Sequence, residues 1–434
     1  MRLKVERENE TDNNLIKIGI VILLLISFFI SFRGINYIYL ALQVIAILCI
    51  LISEKKISRY QQLMPATALL CIVIIIGNRN ARLLHGSFFT DFRICTALLF
   101  YIFLYERTNW YDTLIKWLII LGIFYGVSTL YLHLFPDAYY HYVVPLFGDG
   151  SVSLVKRGYA AGFSMHYSTT AIYHAVTLGI PACVFVRKDC LESKHRVFFI
   201  LLSILIYTGV LLTGKRAHSI IIPICIVFCY YFFSPDKKIS TKAKTIGGIL
   251  LFLGILYICI QLVPSLNNVL IRFQSKIDNE DIISGRDKLL QDCLYLFSDN
   301  PIIGSGWGSF MYYTHLGVEN AHNVYAQLIA ENGILSIPFF TFIFGNIWHT
   351  GKAVVMIAKE NIKLDRSTLI CMNYSFYIQI FFALYCFTGN PLYDFQFVFP
   401  YMIGCAIGEN AYNAFVICDR TLEKSKSWKY IKVI

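Results

Sequence analysis

Charge is what this chain has least of. Only 15% of its 434 residues are Asp, Glu, Lys or Arg, against about 25% in soluble domains. Apolar residues make up 57%, and the mean hydropathy is +0.59. So few charges cannot cover a water-soluble surface of this size, which excludes a cytosolic enzyme, a secreted disulfide scaffold and a disordered regulator. A cleavable signal is also missing, since no small-residue cleavage site follows the first apolar run. Metal spacing is absent from the thirteen cysteines. Cys225 and Cys229 lie one helical turn apart, but inside a continuous apolar run, where they read as small buried fillers. Cys293 alone falls in an outward-facing stretch, so no disulfide is expected.

What is present is a series of long apolar runs. A helix crosses the ~30 Å hydrocarbon layer with about 20 residues, whereas a barrel strand needs only about 10 alternating ones. Run lengths therefore predict an all-α polytopic membrane protein with about 12 transmembrane helices and one long, partly helical outward loop. The spans fall near 15–32, 36–52, 63–77, 92–105, 113–135, 165–186, 197–213, 217–233, 246–263, 324–348, 369–389 and 396–418. This divides the chain into a bundle of about nine spans (1–263), the outward loop (264–323) and the last helices with a tail (324–434).

Lys and Arg set the direction. With the N-terminus inside, the inner segments hold 26 of the 38 basic residues and the outer segments 12. Basic residues favour the cytoplasmic side, so both termini are expected there. The net charge of +11 is then a topology signal and no footprint of nucleic acid. The outward basic residues are Arg33, Arg79, Arg82, Arg93, Lys156, Arg157, Lys215, Arg216, Arg272, Lys276, Arg286 and Lys288. Snorkelling to the headgroups accounts for Arg33 and Lys276. Lys215 and Arg216 stand in the tight connection Thr213-Gly214-Lys215-Arg216, where two adjacent cations invite an anion.

The outward loop is organised. Ser284 reads as an N-cap with Asp287 completing a capping box. Leu289, Leu290, Cys293, Leu294, Leu296 and Phe297 recur at helical spacing until Asn300-Pro301 stops the run. Arg286 then sits in the first turn, where free N–H groups and a guanidinium suit phosphate. The plainer alternative is an ion pair, because the loop is rich in acids. Gly304-Ser305-Gly306-Trp307-Gly308 lacks the Lys-Ser/Thr of a phosphate-binding loop and reads as a turn, with Trp307 at the membrane interface. His322-Asn323 begins the tenth span, and Gly333, eleven residues on, would share its helix face. Glu331 interrupts the apolar run. A buried glutamate is either functional or tied by hydrogen bonds to a neighbouring helix, and the sequence leaves both open. His322 by itself, like His85, His133 and His349, reads as a headgroup-level histidine. Glu319 and His322 could begin a metal pair, but no third ligand is apparent.

Taken in order, Gly285-Arg286, Asn300-Pro301-x-x-Gly304-x-Gly306 and His322-Asn323 with nine residues to Gly333 resemble the O-antigen ligase and polymerase (Wzy-type) superfamily. Upstream, Leu212-Thr213-Gly214-Lys215-Arg216 takes the place of a family Thr-x-Ser-Arg element, with Lys215 where the serine stands. Arg157-Gly158 followed by Gly162-Phe163 resembles another arginine element. The likeness covers roughly residues 155–340, and Ser336 stands where the family has Gly or Thr.

The resemblance implies glycosyl transfer at the outer face of the cytoplasmic membrane, with a glycan on undecaprenyl diphosphate as donor. It assigns Arg216, Arg286 and His322 to catalysis. Arg157, Lys215 and Asn323 would bind substrate. No cofactor or metal is expected, because Lys and Arg charge can take a divalent ion's place. A chain-length regulator and a flippase are the implied partners, beside membrane lipid. The reaction would be polymerisation of lipid-linked repeats or ligation of the finished glycan to lipid A-core or protein. A lipid-linked glycan flippase is the reading from another class, but such a transporter should show internal repeats, and none is seen.

Overall fold

The computed structural model describes residues 10–29, 36–53, 63–80, 84–187, 191–233, 286–314, 320–359 and 364–417, with positions 243, 247, 318 and 362. Every regular element among them is helical. The helices are α1 (Glu10–Phe29), α2 (Asn36–Ile52), α3 (Met64–Asn80), α4 (Leu84–Phe103), α5 (Tyr111–Leu134), α6 (Tyr167–Leu178), α7 (Ser193–Leu212), α8 (Arg216–Phe233), α9 (Arg286–Asp299), α10 (Val324–Asn332), α11 (Ile337–Lys359), α12 (Arg366–Tyr385) and α13 (Phe395–Tyr412).

By length and composition, α5, α7, α8, the stretch 324–357 and α12 can cross a membrane, and four shorter apolar helices lie in α1 to α4. The chain is a multi-pass membrane protein. The expected span at 246–263 and the N-cap at Ser284 lie outside the described residues.

Two helices form the centre. α12 and α13 are buried on nearly all sides, as expected of helices that are apolar all round. α13 packs against α1, α4, α6, α11 and α12. One continuous apolar core runs from Ile16 on α1 to Val416 beyond α13. The outer helices present Leu201, Ile204, Val127 and Tyr131 on their exposed faces, which suits a lipid surround. Pro223 in α8 and Pro400 in α13 remain inside helices. Neighbouring helices re-satisfy the freed backbone groups in such a bundle.

Two expected spans are broken. The run 165–186 forms α6, then a turn through 179–182, then a short helix Cys183–Val186. The run 324–348 is interrupted by a 3-10 turn over Gly333–Ser336, which separates α10 from α11. His322 and Gly333 therefore do not share a helix face: His322 precedes α10, and Gly333 ends it with φ +57°. His349, midway along α11, has its Nδ1 2.6 Å from Glu409 Oε1, and its ring stacks on Tyr412, the last residue of α13, at 4.0 Å.

α9 is the amphipathic helix that the loop periodicity predicts. Leu289, Cys293 and Leu296 form a small core with Phe310, Ala321 and Ala330, and α9 rests on α10. The cysteines at the ten described positions are free, and Cys293 is buried.

Candidate functional site

The glycine-rich turn and the residues around Gly333 form one clasp. Gly304, Gly306 and Gly308 have φ of +68°, +107° and +71°, conformations that glycine adopts at no steric cost. A Cβ on Gly304 would strike the backbone between Glu331 and Asn332, and one on Gly333 would strike the carbonyls of Pro301 and Ile302. The two backbones touch where both lack side chains. Ser305 N donates to Ala330 O (3.1 Å), Gly306 N to Glu331 O (2.8 Å) and Ile334 N to Pro301 O (2.9 Å).

Glu331 fastens the clasp. Its carboxylate is fully buried. Oε2 accepts from Gly308 N (2.9 Å) and Tyr393 Oη (2.6 Å), and Oε1 accepts from Phe310 N (3.1 Å) and Gln327 Nε2 (3.0 Å). Of the two readings open in the sequence, the structure decides for the hydrogen-bonding one. Trp307 is buried, not interfacial: its ring lies between Phe339 and Tyr393, each at 5.3 Å.

The clasp holds up one wall of a cationic site at the end of the bundle where α8, α10 and α13 begin and α12 ends. Gly214, with φ +67°, makes the tight turn from α7 into α8. Thr213 Oγ1 donates to Val210 O at 2.6 Å and accepts from Lys215 N at 3.3 Å. Lys215 is aimed by Ser168, whose Oγ lies 2.6 Å from Nζ, and Nζ stands 6.0 Å from the Tyr385 ring centre. Arg286, at the start of α9, is half-buried and faces Arg216 and Tyr385. Burial first, then the Arg216 charge, lowers the Arg286 pKa.

His322 completes the group. Its backbone has φ +54°, a conformation costly for a residue with a Cβ and therefore imposed by its surroundings. His322 is exposed, yet the protein packed around part of its ring, then the charges of Arg286 and Lys215, pull its pKa down to about 4. Asn390 Nδ2 lies 3.3 Å from its Nδ1. Asp394, just before α13, lies within the field of Lys215, and burial raises its carboxyl to about 6.

Four of the sequence-predicted residues, Lys215, Arg216, Arg286 and His322, thus come together. Asn323 lies beside them, but its side chain is the N-cap of α10, with Oδ1 accepting from Ala326 N at 3.1 Å. Arg157 is exposed. Its segment reaches the site through the backbone, since Ala160 N donates to Leu212 O at 2.9 Å just before the Thr213 turn. Sequence reasoning missed Ser168, Tyr385, Asn390 and Asp394. The available signal was the polar interruption Thr388-Gly389-Asn390-Pro391 between the last two apolar runs.

Such an arrangement can hold a dianion between three cations and set a neutral imidazole beside it. No curated protein matches the chain. Residues 198–341 match the family model described as O-antigen ligase, a stretch that contains the α7–α8 turn, α9, the clasp and His322. The match supports glycosyl transfer of the polymerase or ligase type on lipid-linked polysaccharide in a membrane. Residues 198–341, about a third of the chain, are thus similar to the O-antigen ligase family.

Proposed function

We propose that the chain is a polysaccharide polymerase, building O-antigen, capsule or exopolysaccharide. It moves glycan from undecaprenyl diphosphate onto a lipid-linked repeat unit at the outer face of the bacterial cytoplasmic (inner) membrane, with both termini in the cytoplasm. One observation carries this reading: Lys215, Arg216, Arg286 and His322 converge from three segments far apart in sequence.

The acceptor hydroxyl attacks the anomeric carbon, and the bond from that carbon to the diphosphate oxygen breaks. The electron pair leaves on the lipid diphosphate. Charge grows there in the transition state, where Arg216 and Arg286 stabilise it, with Lys215 fixed by Ser168 beside them. His322 meets the acceptor hydroxyl. Fixed guanidinium groups supply the charge that a divalent ion would otherwise bring, so the transfer is metal-independent. Arg157, which is exposed, and Asn323 contact the glycan in this reading.

The second reading is ligation to lipid A-core or protein, favoured by the description of the matching family. It uses the same donor geometry and a different acceptor. Purified protein given a defined lipid-linked repeat unit separates the two: a polymerase extends it, whereas a ligase acts only when lipid A-core or protein is added. Arg286→Ala and His322→Ala should each abolish the product while the protein remains in the membrane. Unchanged product length would remove the residue concerned from the reaction.

A further inference from the structure

The loop between α12 and α13 touches the His322 ring through Asn390. We propose that Asn390 is a positioning residue that locks the His322 ring as its Nε2–H tautomer, so that His322 donates a hydrogen bond to a reacting oxygen and is not the general base. The proposal rests on the reading of His322 given above and decides between orienting the acceptor and deprotonating it.

The amide nitrogen of an asparagine can only donate. Asn390 Nδ2 faces His322 Nδ1 at 3.3 Å. Nδ1 therefore presents its lone pair, and the proton of the neutral ring is on Nε2. A second proton on Nδ1 would set one N–H against another. Arg286 and Lys215, the charges that act on the ring, oppose that proton as well.

Asn390 is buried, 5% exposed. Its backbone carbonyl accepts from Tyr393 N (2.9 Å) and Asp394 N (2.8 Å), which fixes the main chain behind the amide. The contact to His322 is the hydrogen bond found for the amide, whose Oδ1 is buried without a partner among the described residues. Tyr393 is itself bound to Glu331 and stacked on Trp307. The start of the loop is tied to the histidine's own segment, since Val324 N donates to Cys386 O at 2.8 Å. On the other side, Ala321 N donates to Gln327 Oε1 at 3.0 Å. The main chains on either side of the His322–Asn390 contact are thus tied to each other and to the clasp.

With Nδ1 occupied and Nε2 protonated, the ring has no free lone pair for the acceptor hydroxyl. The hydroxyl proton leaves with the departing diphosphate or to water, and His322 supplies an N–H to the oxygen that carries charge. Such donors act through preorganisation, because they are already in place when the charge develops.

The test is nitrogen-15 NMR of histidine-labelled protein in lipid nanodiscs, with the His322 signals assigned by their loss in His322→Gln. A pyridine-type Nδ1 and a pyrrole-type Nε2 at neutral pH are expected. Asn390→Asp keeps the shape but offers only acceptors, and should move the proton to Nδ1. A pyrrole-type Nδ1 in the unmodified protein would overturn the proposal and make Nε2 the base. In transfer from a lipid-linked repeat unit, Asn390→Ala and Asn390→Asp should each lower kcat about tenfold or more, with the donor KM unchanged. Full activity of Asn390→Asp would mean that only the shape of the residue matters, which overturns the proposal. If the unmodified protein transfers no glycan, the proposed function fails, while the tautomer measurement still decides the role of Asn390.

Discussion

Replacing Glu331 by Gln leaves the shape of the side chain and turns one carboxylate oxygen into an amide nitrogen. Each oxygen of Glu331 accepts two hydrogen bonds, one pair from Gly308 N and Tyr393 Oη and the other from Phe310 N and Gln327 Nε2. Whichever way the new amide turns, one pair of donors meets an N–H instead of an acceptor. Hydrogen bonds to a charged group contribute about 1.5–3 kcal/mol each, and buried donors left unsatisfied cost a further amount. Two lost bonds give a destabilisation of about 3 kcal/mol or more. Trp307 stacks on Tyr393, so its fluorescence reports the opening of the clasp. Unfolding of Glu331→Gln in mixed micelles, followed by that signal, should show the loss. A change below about 1 kcal/mol would refute the reasoning and return Glu331 to the list of residues with a direct chemical role. The variant keeps every cation of the site, so activity should fall with loop integrity and recover under conditions that stabilise the fold.

Three further outcomes follow from the same geometry. Gly333→Ala should prevent accumulation of folded protein, because its φ of +57° disfavours a Cβ and the methyl would meet the backbone of Pro301 and Ile302; normal yield and melting would contradict the clasp. Lys215→Met should raise the His322 pKa from about 4 toward its usual value, since removing a neighbouring cation favours the imidazolium. A nitrogen-15 titration that shows no upward movement would place Lys215 away from the ring. Glycan transfer should persist in excess chelator, and activity that disappears and returns with added divalent ion would overturn the metal-independent reading.

The membrane class was legible because bilayer burial is written into composition: a chain with 15% charge has no other solvent available. Helix ends were legible to within a few residues where an apolar run stops, as at α2 and α8. Breaks inside runs were not. Gly333 looks like any glycine in an apolar stretch, and its left-handed turn exists because Pro301 and Ile302 press against it. The glycines of 304–308 read as a turn, and their purpose became visible only with Glu331 beneath them. Trp307 was assigned to the interface by residue type, yet stacking on Phe339 and Tyr393 buries it.

By itself the sequence determined the solvent, the helical class and the identity of the candidate cations, because hydropathy and charge are properties of single residues and their near neighbours. Tertiary structure alone decided which of those cations meet, that Glu331 is a fastening and that Asn390 faces His322. These are relations between residues dozens to hundreds of positions apart, and only the packing of α8, α9, α10, α12 and α13 at one end of the bundle brings them within reach of a common ligand.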